Sequence, residues 1–264
     1  MDKMGKALVG LSPHTLRRAM PRAVATIPDV MQAHACHCTA MGKRAERYTF
    51  FRMVGTLDEQ CILDLACGFG FYTRLLKQRD AAQVIGVDIS PEMIRLAYQQ
   101  EQAEPLGITY QVGDAVTLPR LGSFDLVTAV HLLTYATSKA QLLGMFRSIY
   151  ANLVAGGRFI AYTNNPAFTL SKPNCTKYGV TVLRLEPEED RYACEAEFVT
   201  APPFRGRWYQ WNKAPYEWAL QEAGFRDFAW YPSEVAPEDL AHYGDAYWRD
   251  FYDNCPIIGL VCQK

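Results

Sequence analysis

The run CILDLACGFGFYTRLL, residues 61–76, constrains the fold of this chain more than any other stretch. A short apolar segment, CILDLA, is followed at once by the glycine turn Gly68-Phe69-Gly70 and then by residues suited to a helix. A second apolar run, QVIGVDIS, ends its strand in Asp88, twenty residues after Gly68. Strand, glycine turn, helix and an acid-terminated second strand make a nucleoside-binding half-site of the Rossmann type. The glycines let a ligand approach the backbone, and the acid accepts hydrogen bonds from ribose hydroxyls.

The rest of the chain extends this pattern. Ser90-Pro91-Glu92 is an N-cap with proline at the first helical position, opening a helix over 91–103. Residues 108–112 read as a third strand ending in Gly113-Asp114-Ala115, and FDLVTAV, residues 124–130, as a fourth. Ser138 caps a helix to about residue 154, and RFIAYT, 158–163, is a fifth strand. Strands alternating with helices predict a doubly wound, parallel, Rossmann-like α/β sheet. Beyond residue 163 the alternation loosens. Residues 178–185 and 192–200 read as a hairpin, 215–223 as a helix ended by Gly224, and 225–231 as a strand. An aromatic-rich helical stretch over 237–254 precedes a terminal strand at 257–262. Before the core, residues 40–57 have helical spacing, with Tyr48, Phe51 and Val54 on one face. The expected division is an N-terminal helical arm (1–57) and a ligand-binding domain (58–264), with pocket insertions at 165–212 and 233–256.

The ligand is decided by detail. A dinucleotide fingerprint needs a third glycine for close helix packing; here Thr73 stands at that place. Asp64 ends the first strand just before the turn, where it would repel a pyrophosphate and attract a sulfonium or ammonium group. An NAD-dependent oxidoreductase is therefore disfavoured. With Asp64, the glycine turn and Asp88, the chain resembles the class I SAM-dependent methyltransferases, with Ala66 in place of the usual first glycine of their motif. The resemblance covers about residue 40 to the end. It implies a seven-stranded sheet whose last two strands are antiparallel, a lid insertion in the C-terminal half, and S-adenosyl-L-methionine as cofactor. CGFGFYTR and YWRDFYDNCPIIGL look most like small-molecule enzymes of the toxoflavin N-methyltransferase type. That narrower likeness implies N- or O-methylation of an aromatic or heterocyclic secondary metabolite. Carbon or carboxyl methylation, and a non-catalytic methyltransferase-like partner, stay open.

In that reading Asp64 orients the methionine amino group, or else only caps the next helix. Gly68 and Gly70 let the methionine moiety lie on backbone amides, with Ala66 beside them. Asp88 holds the ribose; Ile89 and Met93 flank the adenine, though Met93 also suits ordinary core. Asp114 and Ala115 meet the adenine edge, unless Asp114 is a solvated turn residue. Val130 closes the cofactor side. His131, directly after the fourth strand, is the candidate general base, its alternative being packing. Tyr72, Tyr135, Asn164, Trp208 and Trp211 are further pocket candidates.

Bulk properties narrow the partners. The net charge of −1 gives no electrostatic reason to expect nucleic acid, so a small-molecule substrate is expected. No apolar run approaches the ~18 residues that span a bilayer, so no membrane partner is expected. Eight scattered cysteines suit reduced thiols in the cytoplasm better than a disulfide framework. His34, Cys36, His37 and Cys38 are too crowded for a zinc site, and no metal is expected.

Overall fold

The computed structural model describes residues 39–200 and 203–264. The string around His34 and most of the expected N-terminal arm lie outside these residues.

Seven strands form the main sheet, in the order β3-β2-β1-β4-β5-β10-β9. They are β1 (Cys61–Leu65), β2 (Gln83–Asp88), β3 (Thr109–Val112), β4 (Phe124–Val130), β5 (Leu153–Asn164), β9 (Asp227–Tyr231) and β10 (Ile257–Gln263). The first five are parallel, while β10 runs antiparallel to both β5 and β9. The order reverses between β1 and β4, which opens a crevice at their carboxyl ends.

The period of two along each strand sorts side chains into two cores. Ile62, Leu126 and Ile160 face one side, with Phe50, Leu76, Trp248 and Phe251 packed over them. Leu63, Val127 and Phe159 face the other, under Leu142, Phe146, Tyr216 and Leu220. The helices are α1 (Arg47–Val54), α2 (Phe71–Lys77), α3 (Pro91–Ala103), α4 (Lys139–Asn152), α5 (Lys213–Ala223), α6 (Pro237–Tyr243) and α7 (Asp245–Asp253), of which α1, α2, α4, α5 and α7 supply these residues. Ser90 caps α3 by accepting the Met93 N–H, and Ser138 caps α4 by accepting that of Gln141. Helix α1 is entered through a π-helical turn, Gly42–Glu46. It buries Thr49, Phe50, Met53 and Val54, each large apolar side chain contributing ~1.5–3 kcal/mol. Gly259 in β10 leaves the space that the Met53 thioether fills. This packs α1 against β5 and β10, with its N-terminal end beside His131.

The second half departs from expectation in two places. Residues 204–211 form a strand that the sequence does not announce. With it, β6 (Val180–Pro187), β7 (Arg191–Phe198) and β8 (Phe204–Trp211) make a three-stranded antiparallel sheet instead of a lone hairpin. The helical stretch 237–254 is two helices, broken at Gly244, whose φ of 77° closes α6. Tyr178 locks this region to α7 by stacking on Trp248 at 5.0 Å. Among the described residues, no helix is long and apolar enough to cross a membrane.

Candidate active site

A cavity of about 1030 Å³ opens at the carboxyl ends of the parallel strands. Asp64, Ala66, Gly68, Asp88, Ile89, Met93, Asp114, Ala115, Val130 and His131 all line it, so the sheet gathers most of the expected site into one place.

Asp64 is 2% exposed and accepts hydrogen bonds from Thr73 Oγ1 at 2.6 Å and Thr128 Oγ1 at 2.8 Å. Thr73, which breaks the dinucleotide pattern, therefore orients the carboxylate. Burial pushes Asp64 up to about 6 from an ordinary 3.8; the two hydroxyls pull it down, and the charge of Asp88 adds to the rise. Asp88, 9% exposed, receives the Gly68 and Ser90 N–H groups, both at 2.9 Å. Burial raises its carboxyl too, and these two amide bonds offset part of the rise. Ser90, not Asp88, caps α3, and Asp88 lines the cavity. Asp114 Oδ1 accepts the Val116 N–H at 2.9 Å, fixing the loop after β3.

The glycine turn works differently from expectation. The Gly68 N–H is engaged by Asp88 and the Gly70 N–H by the Cys67 carbonyl, so neither glycine amide is open to a ligand. Gly68 instead offers bare surface: at φ 56°, a Cβ there would meet no atom within 4 Å. Gly70 does not line the cavity. Its φ of 90° and the Tyr110 hydroxyl, which a Cβ would strike, require glycine for packing. Trp211 is likewise core; its indole donates to the Ala136 carbonyl at 3.1 Å.

Two residues besides glycine have left-handed backbone at the strand ends of this cavity, Ala66 (φ 55°) and His131 (φ 62°). Such conformations are uncommon outside glycine and cluster at functional sites. His131 is held there by its N–H to the Tyr162 carbonyl at 2.8 Å and by Thr134 Oγ1 donating to its own carbonyl at 2.9 Å. Its Nε2 lies 2.9 Å from Glu46 Oε2, while Tyr72 donates its hydroxyl to Glu46 Oε1 at 2.7 Å. Burial alone would lower the imidazole pKa. The charge and hydrogen bond of Glu46 outweigh that effect and leave His131 above its ordinary 6.5.

Glu46 is the functional candidate that sequence reasoning missed. A signal existed: it sits on the stripe Glu46, Thr49, Phe50, Met53, an acid among core positions. Asp64, Asp88, Asp114 and Glu46 give the cavity a carboxylate-rich lining. Arg205 and Arg207 also border it, but they are 63% and 68% exposed and pair with Glu197 and Glu195. The arrangement favours a ligand with positive charge and hydroxyls, and disfavours a pyrophosphate.

Residues 62–157 match a family model described as a methyltransferase domain. The chain is 35% identical over 101 residues to a demethylmenaquinone methyltransferase of Thermus thermophilus, covering 38% of this chain and 44% of that protein. It is 31% identical over 108 residues to the 18S rRNA (guanine(1575)-N(7))-methyltransferase of Saccharomyces cerevisiae, covering 38% of each. These alignments span less than half the length of the relatives. Among solved structures, an S-adenosylmethionine-dependent methyltransferase from Clostridium acetobutylicum superposes with a TM-score of 0.63 at 17% identity, covering 88% of this chain and 97% of that one. The SAM-bound amino pentose methyltransferase from Micromonospora echinaspora superposes at 0.57 and 16% identity, covering 89% and 95%. Residues 62–157 are thus similar to a methyltransferase domain, and the described chain shares its fold with S-adenosylmethionine-dependent methyltransferases of known structure.

Proposed function

We propose that this protein is a SAM-dependent methyltransferase that methylates nitrogen or oxygen of a small, flat aromatic or heterocyclic molecule. The observation that carries the reading is the pair Asp64 and Asp88, buried at the ends of adjacent parallel strands on either side of a glycine with open space above it. In this reading Asp88 accepts the ribose hydroxyls, Asp64 faces the methionine ammonium, and Gly68 leaves room for the methionine chain. Ile89 and Met93 border the adenine, and Asp114 with Ala115 meets its edge. Bound S-adenosylmethionine supplies an electrophilic methyl group on a positively charged sulfur that leaves as a neutral thioether.

The chain's own residues then have two tasks, placement and proton removal. Placement alone supplies ~7–11 kcal/mol in favourable cases. Glu46 accepts the Nε2 proton of His131, which directs the Nδ1 lone pair to the acceptor. As the acceptor's electron pair forms the new bond to carbon, its N–H or O–H proton passes to Nδ1, and Glu46 stabilises the imidazolium. Residues 58–264 are the catalytic domain in this reading, with insertions 165–212 and 233–256 on the acceptor side. The likeness to toxoflavin-type enzymes supports ring nitrogen as the methylated atom. By their names the relatives act on demethylmenaquinone or on 18S rRNA; the net charge of −1 and the carboxylate-rich cavity lining favour the small molecule.

Calorimetry with S-adenosylhomocysteine and with NADH tests this reading. Saturable binding of S-adenosylhomocysteine is expected. Tight NADH binding with no response to S-adenosylhomocysteine would overturn it.

A further inference from the structure

Part of the cavity wall carries hydrogen-bonding groups that the fold itself leaves open. Asn164 ends β5, is 7% exposed and lines the cavity. Its carboxamide has no hydrogen-bond partner among the described residues. Gln210 of β8, 3% exposed, donates Nε2 to the Phe168 carbonyl at 3.0 Å, on the turn that follows Asn164. That bond ties Gln210 to the turn after β5 and leaves its Oε1 without a partner among the described residues. Trp208, two residues earlier on β8, also lines the cavity, and its Nε1 is buried and unpartnered.

Folded chains rarely leave such groups unsatisfied. Of these groups Trp208 Nε1 is fully buried without a partner, while the Asn164 amide and Gln210 Oε1 belong to residues that line the cavity, where a ligand can engage them. The neighbouring wall is apolar, formed by Val180, Val182, Phe198 and Phe204. The charged groups on this side already have partners: Glu46 is engaged by His131 and Tyr72, and Arg205 and Arg207 by their glutamates. An anionic acceptor would find no free cation among the described residues here.

The geometry points to Asn164, with Gln210 beside it, as the selector of the methyl acceptor: a neutral flat ring with an amide-type edge, a carbonyl next to an N–H. The ring carbonyl accepts from Asn164 Nδ2, and the ring N–H donates to Asn164 Oδ1 or Gln210 Oε1. The apolar wall covers the ring face. This selection rests on the methyltransferase reading and refines it to a class of acceptor.

The test uses the full-length protein saturated with S-adenosylhomocysteine, titrated by calorimetry with 2-quinolone, quinoline and 2-naphthoate. These three probes present an amide edge, a bare ring nitrogen and an anion on frames of similar size. We expect 2-quinolone to bind about tenfold tighter than the other two, the worth of one added hydrogen bond. Asn164→Leu should remove that preference and leave S-adenosylhomocysteine affinity unchanged. Because no described residue uses the amide, Asn164→Leu should also unfold at or above the wild-type temperature. Equal binding of quinoline, tightest binding of 2-naphthoate, or a lowered unfolding temperature with 2-quinolone binding intact would each overturn the assignment. Should wild-type protein fail to bind S-adenosylhomocysteine at all, the methyltransferase reading falls, and this inference with it. Binding of S-adenosylhomocysteine without a quinolone preference sinks the inference alone.

Discussion

Asp64→Asn should make the ligand-free protein more stable and bind its cofactor worse. Asp64 is 2% exposed, and burial raises its pKa to about 6 from 3.8. At ~1.36 kcal/mol per pKa unit, keeping this carboxylate ionised costs the folded chain at most about 3 kcal/mol at neutral pH. The sign follows from linkage: between pH 4 and 6 the folded state holds a proton that the unfolded chain has released. The cost is therefore absent below the unfolded pKa and complete above the folded one. Asparagine keeps the shape, and the Thr73 and Thr128 hydroxyls can each accept or donate, so both contacts survive the change. Urea unfolding of ligand-free protein at pH 7.5 should show the variant more stable by about 1–3 kcal/mol, with the gap closing by pH 4. Calorimetry at pH 7.5 should show S-adenosylhomocysteine binding weakened at least tenfold, because the ammonium loses its carboxylate. A variant less stable than wild type at pH 7.5, by an amount independent of pH, would refute the reasoning: Asp64 would then be a structural hydrogen-bond acceptor.

Other expectations follow from the same geometry. In wild type, S-adenosylhomocysteine affinity should fall as the pH drops through about 6, where Asp64 takes up its proton; a flat profile from pH 5 to 8 would remove the Asp64–ammonium contact. His131→Gln should cut turnover ~10²-fold with normal cofactor affinity, whereas a packing role predicts lost stability and unchanged kinetics. Glu46 holds the His131 pKa above 6.5, so the rate should rise with pH as the imidazolium loses its proton. Glu46→Gln should move that rise to lower pH, and an unmoved profile would separate Glu46 from the chemistry. Tyr110 buries a hydroxyl without a partner, so Tyr110→Phe should stabilise by about 1 kcal/mol. Gly70→Ala should destabilise by ~1–3 kcal/mol through its left-handed backbone; equal melting of Gly70→Ala and wild type would contradict the packing role.

The legible parts of this fold are those with local signals. β4 falls at residues 124–130 and α3 at 91–103, as read, because an unbroken apolar run and a Ser-Pro cap are short-range features. β8 was not legible. Its face alternates Trp208 and Gln210 with Arg207 and Tyr209, and its cross-strand partners Glu195 and Glu197 acquire meaning only once β7 lies beside it. The break at Gly244 is likewise a single residue inside a helical pattern. At the site, Asp64 and Asp88 are visible because the sheet places the carboxyl ends of its parallel strands at one edge. The Glu46–His131 contact joins residues 85 apart in sequence, and no spacing rule reaches that far. Gly70 shows the converse: a motif position that reads as ligand contact is occupied by the needs of Tyr110.

The decisive measurement is the structure of the S-adenosylhomocysteine complex. Both ribose hydroxyls should lie within hydrogen-bond reach of the Asp88 carboxylate, with the amino acid end turned toward Asp64. An adenosyl group seated away from these two carboxylates would contradict this placement.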